Sequence, residues 1–260
     1  FLNKFDPDRL LYNFRLTAGY NTNEIKAFDF HNNGTGASAP YPGGWENSRI
    51  GGHTMGHYLA AAAQAVANGY ADVKGEDGFT MKQRLEYLID ELEKCQNKRG
   101  NGYIFGATMA DPNDPERQFN LLERGDTRDT WVPWYTMHKI VNGLVETYKL
   151  TENETALHVA ESLGEWIYER TSRWDTNIQN RVLGVEYGGM NDCLYELYKC
   201  AKAEGYANKD HFKTAAHWFD EVYLFEKILA GEENHLNGKH ANCTIPKFIG
   251  ALNRYRALKD

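Results

Sequence analysis

Apolar side chains recur along this chain at the spacing of one helical face and almost nowhere alternate as a half-buried strand requires. The clearest series, Met137, Ile140, Val141, Leu144, Val145 and Tyr148, follows i, i+3, i+4, i+7, i+8 and i+11. The same spacing returns at Met81, Leu85, Leu88, Leu92 and Cys95, at Val159, Leu163, Trp166 and Ile167, at Met190, Leu194, Leu197 and Tyr198, and at Ile245, Phe248, Ile249 and Leu252. The pattern predicts an all-α protein. Asp6 before Pro7 supplies a helix cap followed by a proline at the first helical position, so a helix through Leu10, Leu11 and Phe14 is expected to end near Gly19.

The predicted helices alternate between two kinds, which points to stacked helical hairpins. One kind is small or apolar, follows a long loop, and starts near His53, Tyr135, Met190 and Ile245. The other is more charged and runs through Leu85 to Cys95, Val159 to Tyr168, and Phe212 to Tyr223. A unit of about 55 residues fits paired inner and outer helices and is too long for arrays that repeat at about 33 or 34. The extra length in the first interval, Arg99 to Thr130, is rich in Gly, Asp, Asn and Pro and reads as a long surface loop. The expected architecture is an (α/α)6 toroid. Six hairpins of about 55 residues need more than about 300 residues, and this chain has 260 with four inner starts. The expectation is therefore a single domain over 1–260 that forms the first two-thirds of an incomplete barrel.

Composition narrows the class of partner. Lys plus Arg number 29 against 36 Asp plus Glu, a net charge of −7 that repels phosphate backbones and anionic membranes. Nucleic acid and membrane are not expected as partners. The longest apolar run, Leu59 to Ala67, is mostly alanine and is far shorter than the roughly 20 residues that span a bilayer. Phe1 stands first with no leader before it, so any signal peptide is expected to have been removed or to lie outside the sequence. Localisation stays open, with secretion or the periplasm favoured over the cytoplasm. Cys95, Cys193, Cys200 and Cys243 contain no CxxC pair. Cys193 and Cys200 would stand about 10 Å apart along one helix, too far to bridge. Buried free thiols are the expectation, with a disulfide or metal role as the alternative.

The loops before the four inner helices read GGWENSRIGGH, GDTRDTWVPWY, GVEYGGM and LNGKHANCTIP. If all inner helices run in one direction, these loops gather at one mouth. They would set Trp45, Glu46, His53, Trp131, Trp134, Tyr135, Glu186, Tyr187, Asn191, His240 and Asn242 around a single cavity. Aromatic faces stack on the C–H faces of a sugar while carboxylates, amides and imidazoles bond its hydroxyls, so a neutral carbohydrate suits the set. Each residue also has a plainer reading. Trp131 and Trp134 flank Pro133 and could pack the loop onto the barrel. His53 and His57 have the i, i+4 spacing of metal ligands, but the Glu of an HExxH motif is missing, and His57 reads as a core residue. His138 divides between core and pocket. Glu46 and Glu186 could form the carboxylate pair of a glycosidase, at a separation the sequence does not give.

The strings GGWE, GGHTMGHYL, LIDELEKCQ, GNGYIF, WVPWYTMHKI, EYGGMND and LNGKHANCTIPKFIGAL, in this order between Asp6 and Leu258, resemble the β-L-arabinofuranosidase group, glycoside hydrolase families 127 and 146. The resemblance implies an (α/α)6 catalytic barrel and retaining hydrolysis of terminal β-L-arabinofuranosides from plant glycans. It also implies zinc in the complete enzyme, holding a cysteine as the thiolate that attacks the anomeric carbon, and a separate glutamate as acid and base. Those residues belong to a family segment that follows the one matched by HANCTIPK. None of the four cysteines here corresponds to the nucleophile or a zinc ligand, so no catalytic residue and no metal site is expected in this chain. His240 matches a family histidine that contacts the arabinose, with Trp131 to Tyr135 and Glu186 to Asn191 as pocket walls.

The expected partner is an arabinose-containing oligosaccharide, and the chain by itself is expected to be nearly inactive. Two other readings stand beside this one: another (α/α)6 glycosidase working through Glu46 and Glu186, and a non-catalytic helical module that binds sugar or protein. An open ring would also expose apolar helix sides and favour self-association.

Overall fold

The computed structural model describes residues 1–42, 45–107 and 113–260. The chain is all-helical. Its α-helices are α1 (Pro7–Thr17), α2 (Thr22–Lys26), α3 (His53–Ala65), α4 (Met81–Arg99), α5 (Arg117–Arg124), α6 (Pro133–Thr151), α7 (Glu154–Thr171), α8 (Thr176–Leu183), α9 (Met190–Ala203), α10 (Lys209–His217), α11 (Val222–Leu229) and α12 (Ala241–Leu258). No strand forms among the described residues, where β-pairing is limited to an isolated bridge between Lys74 and Thr80. No helix among them is long and apolar enough to cross a membrane.

Two layers result. In the inner row α3 packs on α6, α6 on α9, and α9 on α12, in chain order. Behind them α4 lies against α3 and α7, and α10 against α7 and α9, while α1 packs on α4 and touches α3. The observed inner helices start within one turn of the positions expected from sequence.

Local chemistry explains where the elements begin. Asp6 Oδ1 accepts from Asp8 N at 2.9 Å, and Pro7 opens α1. Thr80 and Gln83 form a reciprocal capping box at α4, and Asn153 caps α7 through Ala156 N. No side chain at the cap position closes any of the four inner helices, whose cap residues are Gly52, Val132, Gly189 and His240. The tightest inner crossing is glycine on glycine: a Cβ on Gly56 of α3 would stand 1.9 Å from Lys139 O of α6, and one on Gly143 would stand 2.6 Å from Gly56 O. The two backbones touch because neither residue carries a side chain.

The core between the layers contains Leu59, Leu88, Leu92, Met137, Ile140, Leu144, Leu163, Leu194 and Leu197, all sealed from solvent. Each such side chain contributes about 1.5–3 kcal/mol of burial free energy. A fully buried guanidinium is matched by carboxylates. Arg15, with no exposed side-chain surface, donates to Asp8 at 2.8 Å, Glu91 at 2.8 Å and the Tyr87 hydroxyl at 3.0 Å.

Two expectations need correction. The segment between Arg99 and Thr130 is not simply a surface loop: Tyr103, Ile104, Phe105, Phe119 and Leu122 are buried, and α5 lies within it. Arg170 of α7 ties it down, donating to both carboxylate oxygens of Glu123 at 2.7 and 2.9 Å, to Glu116 at 3.0 Å and to Asn120 at 2.8 Å. The outer helix expected through Phe212 to Tyr223 breaks at Trp218 to Glu221, where Phe219 turns into the core and Asp220 accepts from Tyr195, Asn191 and Arg254. The apolar face of α12 is largely uncovered, with Ile245, Phe248, Ile249, Leu252 and Tyr255 all exposed.

Candidate functional site

A cavity of 280 Å³ lies at the N-terminal ends of the inner helices, bordered by Trp45, Ile50, His53, Trp131, Val132, Tyr135, Glu186, His240 and Asn242. Its first wall is aromatic. Trp45 and Trp131 stand half-exposed with ring centroids 6.2 Å apart and planes 22° from parallel. The ring of His53 meets Trp45 edge-on at 5.7 Å and faces Tyr135 at 6.5 Å. Large exposed rings at a cavity lip are costly in water and are retained where a partner with apolar faces covers them.

The second wall is polar. Glu186, from the loop before α9, keeps Oε1 buried with no hydrogen-bond partner among the described residues. An acceptor in that state is stabilised by any hydroxyl that reaches it. Asn242 lies beside the Tyr135 hydroxyl and favours its ionised form, but burial, the larger effect, raises the pKa of the phenol. Lys139, one turn along α6, holds its ammonium 4.7 Å from the centre of the Tyr135 ring, and burial lowers its pKa against the pull of Glu186. A second hollow of 250 Å³ shares Glu186 and His240 with the first and continues it past Cys243, Thr244 and Lys247. There the Cys243 thiol lies beside Glu186, and burial together with that carboxylate pushes it up to about 11.

The eleven residues expected at the mouth therefore divide. Trp45, His53, Trp131, Tyr135, Glu186, His240 and Asn242 border one cavity. Trp134 does not: it is fully buried, with its ring against Phe119, Trp174 and Phe219, because it sits on the core side of the first turn of α6. Tyr187 is likewise core, its hydroxyl donating to Glu221 at 3.2 Å. Asn191 is sealed between α9 and Gly250 of α12 and donates to Asp220.

Glu46 is committed elsewhere, since its carboxylate accepts from Gly52 N at 3.0 Å and Thr54 N at 3.2 Å and stands 3.4 Å from His53 Nδ1. Burial raises the pKa of that carboxyl, but the bonds to His53, Thr54 and Gly52 outweigh it and hold it below the ordinary value. It caps α3 in place of the missing side chain at Gly52, a duty that competes with pairing Glu46 and Glu186 as acid and base. Gly43 and Gly44 of the same loop lie outside the described residues.

The two undecided histidines also resolve. His57 is exposed on the inner face of α3 rather than in the core, its ring 5.8 Å from that of His53. His138 is buried and accepts from Gly189 N through Nδ1 at 3.0 Å, which assigns its proton to Nε2. The Gly188–Gly189 turn closes over that ring, and a Cβ on Gly188, at φ +61°, would meet His138 Nδ1 at 2.5 Å. Sequence reasoning missed Ile50, Val132, Lys139 and Cys243. Lys139 was within reach, because it follows Tyr135 by four residues on a helix already identified.

Over residues 1–260, the whole chain, the sequence matches the family model described as the β-L-arabinofuranosidase, GH127 catalytic domain. The chain belongs to this glycoside hydrolase family. Comparison with curated proteins finds no match. Zinc held by thiolates, which the family implies, does not fit the donors described in this GH127 domain. Among the described residues no three His, Cys, Asp or Glu side chains are grouped to hold a metal. All four cysteines are free thiols, and burial pushes each up: Cys95 to about 12, Cys200 to about 11, Cys193 well above its ordinary value, and Cys243 as given above.

Proposed function

We propose that this GH127 domain recognises a terminal β-L-arabinofuranosyl unit of a plant glycan at the mouth of its inner helices, as the sugar-binding wall of a retaining arabinofuranosidase. One observation carries the reading: seven residues from four separate loop-to-helix junctions, three of them large aromatics, border a single 280 Å³ cavity. That volume is just under the roughly 300–1,000 Å³ of drug-sized ligand pockets and suits one sugar ring with the next at the lip. The stacked Trp45 and Trp131 offer flat faces to ring C–H groups. Glu186 offers an unsatisfied acceptor, and His53, His240 and Asn242 supply further polar partners to hydroxyls.

The inner row of four helices supports an arc of an (α/α)6 ring. The zinc-bound cysteine and the acid–base glutamate of the family are not met by this chain's own cysteines or by Glu46, so the chain alone binds substrate and turns it over negligibly. Titration with L-arabinose and with an aryl β-L-arabinofuranoside, followed by tryptophan fluorescence, tests recognition. Trp131→Ala is expected to weaken binding roughly tenfold, the scale of one lost aromatic contact of about 1–1.5 kcal/mol. Unchanged affinity in Trp131→Ala would remove the cavity from the recognition of sugar. Turnover by the 260-residue chain, with zinc added, at the rate of a complete family enzyme would overturn the division of labour.

A further inference from the structure

About 28 Å from the sugar mouth, the length of a 19-residue helix at about 1.5 Å per residue, a second cavity opens at the far end of α6. It has a volume of 510 Å³ and lies where α6 and α9 end and α7 begins. Its lining carries four carboxylates and one basic side chain, His158. Glu152, Glu154, Glu161 and Glu204 border it, and no lysine or arginine does. Glu152 is the terminal cap of α6 and Glu204 that of α9, so both carboxylates sit at the negative ends of helix dipoles, where cations are the stabilising choice.

Glu161 decides the matter. It is 6% exposed and lines the cavity; no hydrogen bond or ion pair joins it to another described side chain, and His158, also in the lining, is the basic group that acts on it. Arg15, Glu91 and Arg170, which are also buried and charged, each stand against a partner of opposite sign. Burial raises the pKa of the Glu161 carboxyl, His158 opposes this, and Glu204 and Glu165 add to it. A buried carboxylate facing a cavity rimmed by like charges calls for a cation that the chain itself does not supply.

We propose that this cavity binds a linear polyamine, an aliphatic chain carrying two or more ammonium groups, with Glu161 taking one ammonium at the floor and the rim glutamates taking the others. A single metal ion fits less well, because no three of these side chains are grouped closely enough to share one. Separated carboxylates match charges that are themselves separated by methylenes. The faces of Tyr148 and Tyr206 and the side chain of Leu157 cover the carbon chain. Tyr148 holds Glu204 in place through a hydrogen bond of 2.6 Å.

Calorimetric titration of the 260-residue chain with spermidine, at constant ionic strength, is the test, with n-butylamine and magnesium chloride as comparison ligands. One-to-one binding of spermidine is expected, at least about tenfold weaker in Glu161→Gln, the scale of one lost charge-assisted bond. Arabinose binding at the distant mouth is expected to be unchanged in that variant, which shows that it is folded. Should Glu161→Gln fail to fold, the exposed pair Glu152→Gln and Glu154→Gln carries the same expectation. Absence of spermidine binding, equal affinity in the variants, or equally tight binding of magnesium each overturns the proposal.

Discussion

Glu46 and Glu186 are two carboxylates at one mouth with different duties, and their neighbours assign them. Glu46 bonds the first turn of α3 through Gly52 and Thr54, so Glu46→Gln is expected to cost about 1–2 kcal/mol in chemical denaturation and to leave the cavity lining intact. Its folded pKa is depressed, so its stabilisation is complete above the ordinary carboxyl value of 4.5 and is lost as pH falls through the lower folded value. Stability measured from pH 6 downward should therefore fall less steeply in the Gln variant. His138 acts in the same direction from a different cause. Burial, then Lys139 and His57, hold its pKa well below 6.5, so the unfolded chain takes up a proton that the folded ring refuses. Stability drains away as pH drops below 6.5. His138→Gln, which keeps an acceptor for Gly189 N, is expected to flatten that limb of a pH-dependent thermal melt; an unaltered slope would show that His138 does not carry it.

At the scale of elements, the inner row was legible because a helix face repeats its apolar residues every third and fourth position. Met137 to Tyr148 and Met190 to Tyr198 state their burial in the sequence itself. What defeated the reading was charge and direction. Arg170 looks like any basic residue of an amphipathic helix, yet it anchors the 113–130 segment through Glu116, Asn120 and Glu123, partners 47 to 54 positions away. Arg170→Met is expected to destabilise the fold by about 3–5 kcal/mol, since it leaves the half-buried Glu123 carboxylate with no counter-charge and only the Trp174 indole N–H as donor, and hydrogen exchange should rise first in α5. Trp134 and Trp131, three residues apart, were equivalent on paper; the turn at Pro133 sends one into the core and leaves the other at the lip. The close approach of α3 and α6 was equally silent, because a glycine in a helix announces lost propensity rather than contact. Gly56→Ala should cost about 3 kcal/mol or more by forcing two backbones apart, and a wild-type melting temperature in that variant would contradict the crossing described.

For the molecule as a whole, the exposed stripe of α12 is the feature most at odds with life in water. Ile245, Phe248, Ile249, Leu252 and Tyr255 lie on one side of a single helix, and Phe225 of α11 meets Phe248 edge-on at 5.4 Å beside them. A continuous apolar surface of this kind drives association. The 260-residue chain is therefore expected to sediment as concentration-dependent oligomers, and Ile249→Glu with Leu252→Glu to shift it towards monomer; a strictly monomeric wild type would refute this. The packing of the inner row also grades in rigidity. Backbone meets backbone between α3 and α6, whereas α12 rests principally on α9. Trp45, His53, Trp131 and Tyr135 thus ride on a jaw whose two halves cannot slide apart, while His240 and Asn242 ride on an outlying one. A guest entering this mouth would meet its flat face against the pair of helices in backbone contact and its hydroxyls against a helix held by side chains, so tolerance for substitution should differ between the two sides of the same ring.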